Sequence, residues 1–211
     1  MMNSIEKLKW RYATKKFDSS KKLSETQINT LINTFNLTAT SYGLQPLKML
    51  VISNENIKKQ LLEYSFNQSQ VVDCSHLLVI CIKTKINADY IDQKFDLEKK
   101  IRGTSEEIIG DFRAFLKNSI ANKSIDEIEN SAINQAYIAL GNLMTVCAYE
   151  SIDSCPMEGF IPSKYDEILK LEEHSLKSVL LLPVGFRAED DFMSALKKVR
   201  IPIEESIINI E

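Results

Sequence analysis

A chain of 211 residues with 26 lysines and arginines against 29 aspartates and glutamates carries a formal charge of −3. That balance argues against a nucleic-acid or membrane-surface binder, and the length suits one domain spanning 1–211 or one subunit of an intertwined oligomer. The two histidines and four cysteines fall in no metal-ligand spacing. No apolar run is long enough to span a bilayer and no signal peptide is recognisable, so a cytoplasmic protein with buried, reduced thiols is expected.

In chain order, Ser4 to Trp10 reads as a helix and runs into the cationic heptapeptide Arg11-Tyr12-Ala13-Thr14-Lys15-Lys16-Phe17. A capping box, Ser24-Glu25-Thr26-Gln27, starts the next helix, whose Ile28, Leu31, Ile32 and Phe35 recur on one face. Met49 to Ile52, Leu77 to Ile82 and Val179 to Leu182 are continuous apolar runs bounded by polar or turn residues. Such runs predict central strands buried on both faces. Residues 87–123 are charged and irregular, with Phe95, Phe112 and Phe115 spaced among the charges. Two readings stay open there: a pair of amphipathic helices, or a mobile flap whose Phe112 and Phe115 cover a flat ligand. A second capping box, Ser124-Ile125-Asp126-Glu127, opens a helix reaching about Glu150, and its Ala132, Ala136, Ala139 and Gly141 suit close approach of another backbone, in the domain centre or at a subunit interface. The pattern is that of one α+β domain.

The heptapeptide is matched far away by Lys198-Val199-Arg200. Arginine offers a planar fork for a phosphate and lysine a compact charge, so two such clusters joined by folding make an anion clamp; apart, they are ordinary solvated charges. Neither a G-x-G-x-x-G nor a G-x-x-x-x-G-K-[ST] pattern occurs, which leaves side chains to hold any phosphate. His76 opens an apolar strand and reads as a packed histidine. With no nucleophile or metal motif, no side chain is assigned as catalytic, and any chemistry falls to a cofactor.

Five segments, in order, resemble the nitroreductase family of FMN-dependent oxidoreductases, including its oxygen-insensitive nitroreductases and dihydropteridine-reductase-like members. Arg11 to Phe17 is similar to the family's Arg-x-Ser-x-Lys-x-Phe, and Thr40-Ser41-Tyr42-Gly43-Leu44-Gln45-Pro46 to its Ser-rich turn ending in Gln-Pro. Asn67-Gln68-Ser69-Gln70, Pro156-Met157-Glu158-Gly159-Phe160 and Lys198-Val199-Arg200 complete the set. The resemblance implies a nitroreductase-like fold, a central mixed sheet flanked by helices in an intertwined homodimer, with FMN bound at the interface. It implies that Arg11, Lys198 and Arg200 hold the phosphate, Asn67 the ribityl chain and pyrimidine edge, and Lys15 the N1/O2 edge. Backbone amides of Glu158 and Gly159 would face N5/O4, with Thr40 and Ser41 supplied by the partner; Tyr12, Ala13, Gln70 and Pro156 complete the set. Ala13 stands where the family often has Ser, and Gln70 where some relatives carry a second Lys.

The implied activity is reduction of nitroaromatics, quinones or similar flat acceptors by NADH or NADPH in two half-reactions at one site. Alternatives are a flavin-processing or dedicated-metabolite reductase of the same fold, or an FMN-binding protein without turnover.

Overall fold

A computed structural model describes residues 4–211. Strands β1 (Leu47–Ile52), β2 (His76–Lys83), β3 (Asp153–Ser154) and β4 (Leu176–Gly185) form one sheet in the order β1-β2-β4-β3. Every neighbouring pair is antiparallel, with Leu78 opposite Leu182 and Ile80 opposite Leu180. The expected mixed sheet is therefore corrected to an antiparallel one. The one parallel pairing among the described residues is an isolated bridge, Ala13 to Ser154.

Side chains of β2 and β4 alternate between two apolar layers, as the two-residue period of a strand requires. Leu78, Ile80, Ile82, Leu180 and Leu182 face one layer, and Leu77, Val79, Cys81 and Leu181 the other. Both faces are covered, which explains the unbroken apolar runs in an antiparallel sheet. Met49 to Ile52 departs from expectation: β1 is an edge strand with most of its residues half-buried, because among the described residues nothing pairs with its outer side.

The first layer is closed by α2 (Glu25–Asn36), α5 (Ala88–Arg102), α6 (Glu106–Ala121) and α7 (Ile125–Tyr149), through Leu31, Ile91, Phe95, Leu116 and Leu143. The second is closed by α3 (Glu55–Leu62), α4 (Gln70–Asp73) and α8 (Pro162–Ile168), through Leu61, Val71 and Tyr165. Both capping boxes form. In the first, Gln27 N–H donates to Ser24 Oγ at 3.2 Å and Ser24 N–H to Gln27 Oε1 at 3.0 Å. Ser24→Ala should lower stability by about 1 kcal/mol, visible as a small drop in unfolding temperature in a thermal melt.

Two alternatives left open by the amino-acid pattern are decided. Residues 87–123 form two regular antiparallel helices, the first of the two readings left open for them. Their charges pair across the hairpin, Arg113 with Asp96 at 3.2 Å, Lys117 with Asp92 at 2.6 Å and Lys99 with Glu106 at 2.9 Å, while Arg113 also reaches Glu106 of its own helix at 3.3 Å. The small residues Ala132, Ala136 and Ala139 are buried in the chain's own core, where α7 crosses β2 and β4, so they are not a free subunit-contact stripe. All four cysteines are buried and unpaired. Among the described residues no helix is long and apolar enough to cross a membrane, and no cluster of His, Cys, Asp and Glu could hold a metal ion.

Candidate functional site

The helix α1 (Ser4–Trp10) packs near the C-terminal end of α7, where Lys7 Nζ donates to the Tyr149 carbonyl at 2.9 Å. The heptapeptide that follows lies extended beside β3, with Thr14 N–H donating to the Ser154 carbonyl at 3.3 Å. Two acidic residues lock it in place. Asp153, buried in β3, accepts Arg187 N–H at 2.9 Å and Nε–H at 2.7 Å, and the Arg187 guanidinium is sandwiched between Trp10 and Tyr12 at 4.4 and 4.5 Å from their ring centres. Asp191, also buried, accepts hydrogen bonds from the Tyr12 hydroxyl and from the backbone of Lys15 and Lys16. Burial alone would raise its pKa, but these bonds together with Met193 N–H hold it below the usual carboxylate range.

This scaffold brings the two cationic clusters together. A cleft of about 460 Å³ is lined by Trp10, Arg11, Ala13, Met193, Lys198 and Arg200, among others. Lys198 Nζ donates to the Arg11 carbonyl. Among the described residues no carboxylate pairs with Arg11, Lys198 or Arg200, and Arg11 Nε is buried without a hydrogen-bond partner. Burial, then the neighbouring Arg200, pushes Arg11 below its ordinary pKa; burial, then Arg11 and Arg200, does the same to Lys198. Such a cluster is an electrostatic hole for an anion: a phosphate would supply the missing counter-charge and an acceptor for the orphaned Nε–H.

A second group of expected residues gathers around Cys155. Half-buried Lys15 reaches Cys155 Sγ at 4.0 Å, and buried Gln70 lies near the same thiol. Burial raises the Cys155 pKa despite the nearby Lys15, so the thiol stays neutral. Gln70 opens α4, whose far end is held by fully buried Lys58, with Nζ donating to the carbonyls of Val72 at 2.9 Å and Cys74 at 2.7 Å. Asn67 sits in a left-handed turn with its side chain exposed. Its neighbour Gln68 makes the structural contact, donating from Nε2 to the Gly159 carbonyl at 2.9 Å. A Cβ on Gly159 would lie 3.1 Å from that nitrogen, so a larger residue there requires a small shift of the Gln68 side chain. Following Cys155 in the chain, Pro156 and Gly159 are half-buried and Glu158 is exposed.

Four expected residues lie elsewhere in the chain. Ser41 N–H donates to Gln135 Oε1 at 3.0 Å, whereas Arg11 lies beside Cys147 on the same helix. Those helix positions are twelve residues apart, about 18 Å along the axis at 1.5 Å per residue. Thr40 and Ser41 precede a turn in which Tyr42 and Gln45 adopt left-handed conformations at φ 55° and 47°. Two contacts hold this strained turn: Gln45 N–H donates to Thr40 Oγ1 at 3.0 Å, and the Tyr90 hydroxyl to the Leu44 and Gln45 carbonyls at 2.5 and 2.9 Å. Phe112 packs edge-on to Tyr42 at 5.9 Å and stacks with Phe115 at 6.2 Å. Tyr42 and Phe112 line a separate cleft of about 600 Å³ between the turn and the α5–α6 hairpin.

Sequence reasoning passed over Asp153, Arg187, Asp191, Gln68 and Lys58. Local pattern marks none of the first three as partners of the heptapeptide, from which they stand well over a hundred residues away. Gln68 was visible only as the neighbour of Asn67.

The model of the nitroreductase family matches residues 8–186. A Staphylococcus haemolyticus protein named as a candidate NAD(P)H nitroreductase is 36% identical over 212 residues, covering 96% of this chain and 95% of its own. The oxygen-insensitive NAD(P)H nitroreductase of Salmonella typhimurium is 26% identical over 208 residues, covering 95% and 96%. Among solved structures, a candidate nitroreductase from Exiguobacterium sibiricum in complex with FMN superposes with a TM-score of 0.83 at 22% identity, covering 100% of this chain and 98% of that one. A family match across the sheet, both helical layers and the Arg11 to Lys15 segment, joined to a relative similar over nearly the full length, places the chain in the nitroreductase family.

Proposed function

We propose that this single-domain chain is an FMN-dependent NAD(P)H oxidoreductase acting on flat acceptors such as nitroaromatics and quinones. The observation that carries the reading is the carboxylate-free cleft of Arg11, Lys198 and Arg200, with half-buried Lys15 on the same segment as Arg11. Arg11, Lys198 and Arg200 would hold the FMN phosphate. Lys15 would bias the pyrimidine edge, and Asn67, Gln70, Pro156, Glu158 and Gly159 would border the ring and ribityl chain. When bound, FMN supplies hydride acceptance from a reduced nicotinamide and electron delivery to the acceptor, in alternating half-reactions. The protein's part is to bind, to orient and to place fixed positive charge where negative charge grows. Its FMN-relative in structure and its nicotinamide-named relatives in sequence support this assignment.

The test is direct: the purified protein should be yellow with stoichiometric FMN, and NADH or NADPH should bleach it in stopped flow, with nitroaromatic or quinone restoring the colour. A protein that neither retains FMN nor bleaches would refute the reading.

We also propose a homodimer in which Thr40, Ser41, Phe112 and Phe115 of one subunit complete the site of the other. Two features support it: the separation of these residues from the cationic cleft, and the exposed apolar side chains of Val199, Ile201, Ile203, Ile207 and Ile208, which find no core in their own chain. Flavin loading and dimerisation should be lost together on dilution. Sedimentation showing a flavin-loaded monomer at micromolar concentration would exclude this.

A further inference from the structure

The two cationic segments that make the cleft share one joint. The Asp191 carboxylate is 2% exposed and binds four donors. Oδ2 accepts from the Tyr12 hydroxyl at 2.9 Å, Lys15 N–H at 2.9 Å and Lys16 N–H at 3.3 Å, and Oδ1 accepts from Met193 N–H at 3.1 Å. The first three donors belong to the segment carrying Arg11 and Lys15. The fourth opens the short turn Phe192–Ala195, from which the chain runs directly to Lys198 and Arg200. No lysine or arginine side chain pairs with Asp191 among the described residues, so it does not quench the cluster; it spends its acceptor capacity on backbone and on one hydroxyl.

Resting on the FMN reading above, we infer that Asp191 is a positioning residue that sets both ends of the cofactor site at once, fixing Lys15 on one side and the phosphate cations on the other. The chemistry demands a carboxylate. Three donors converge on a single oxygen, and an asparagine amide has only one oxygen to share among four donors and adds an N–H₂ among them. The fold has independent supports here: Ala188 N–H donates to the Lys16 carbonyl at 2.9 Å, Asp18 N–H to the Phe186 carbonyl at 2.8 Å, and Arg187 is held by Asp153. A change at Asp191 should therefore loosen the cleft without unfolding the chain.

The experiment is Asp191→Asn, read in three ways. In the flavin-free protein, amide hydrogen exchange should quicken at residues 12–16 and 193–200 together while α7 is unchanged. In the loaded protein, the FMN dissociation constant should rise about tenfold, the scale of one lost charge-assisted hydrogen bond. The flavin midpoint potential should fall, because Lys15 is no longer held in place, and this fall should vanish in a Lys15→Met background. Simple loss of a nearby negative charge predicts the opposite, a rise in potential that persists without Lys15, and that result overturns the inference. Exchange that quickens in one segment alone, or in neither, overturns it as well. If the parent protein binds no FMN, the functional reading fails, and the exchange measurement still decides whether Asp191 holds both segments. Should Asp191→Asn not fold, Tyr12→Phe removes one of the four bonds and must give the same changes in smaller degree; a Tyr12→Phe protein identical to the parent in exchange and potential counts against the assignment.

Discussion

Arg200→Ala and Lys198→Ala should each weaken FMN binding roughly ten- to a hundredfold, corresponding to about 1.5–3 kcal/mol for loss of one charged partner of a partly buried phosphate. The same substitutions should behave differently in the flavin-free protein. Arg11 is already destabilised as a cation by burial and by Arg200, and no carboxylate compensates among the described residues. Removing Arg200 relieves that repulsion, so the unfolding temperature of the apoprotein should hold steady or rise while that of the loaded protein falls. Flavin fluorescence titrations and paired thermal melts would measure both. Two variants that bind FMN as tightly as the parent would remove the phosphate from this cleft.

Lys15→Met should lower the flavin midpoint potential and slow bleaching by nicotinamide, while leaving FMN retention largely intact. Reduction adds negative charge to the pyrimidine edge, and a fixed ammonium stabilises the reduced ring more than the oxidised one. At an effective dielectric near 20, a unit charge about 4 Å away contributes about 4 kcal/mol before desolvation, so a net effect of ~1–3 kcal/mol is reasonable. For a two-electron couple that is roughly 20–65 mV. The surroundings sharpen the expectation. Neither Cys155, a neutral thiol, nor Gln70, an uncharged amide, can replace or cancel the lysine. A flavin-loaded Lys15→Met protein with an unchanged potential, measured by spectroelectrochemical titration, would leave Lys15 without this role.

Several elements were legible because their signals are local. The capping boxes at Ser24 and Ser124 each satisfy helix-end donors within four residues, and both helices begin where the boxes predict. The apolar runs around Leu78 and Leu181 could be read as buried strands because period two and continuous apolarity leave few alternatives. Residues 87–123 looked irregular for a physical reason as well. Their charges satisfy one another largely between two helices, and that pairing is invisible along a single chain direction.

What the amino-acid sequence determined by itself was chemical inventory and short-range geometry: helix starts, strand runs, the absence of glycine-rich phosphate loops, two cationic clusters and the motif order of a family. Tertiary structure alone decided which of these meet. It set β1 at an edge and made the sheet antiparallel, buried the alanine stripe of α7 in the chain's own core, and left Thr40 and Phe112 apart from Arg11. It also joined the segments around residues 11–16 and 193–200 through Asp191, a contact spanning 179 residues between Tyr12 and its acceptor. Such choices depend on register, layer packing and the desolvation of paired groups distant in sequence, and these energies come into being only when the chain has folded.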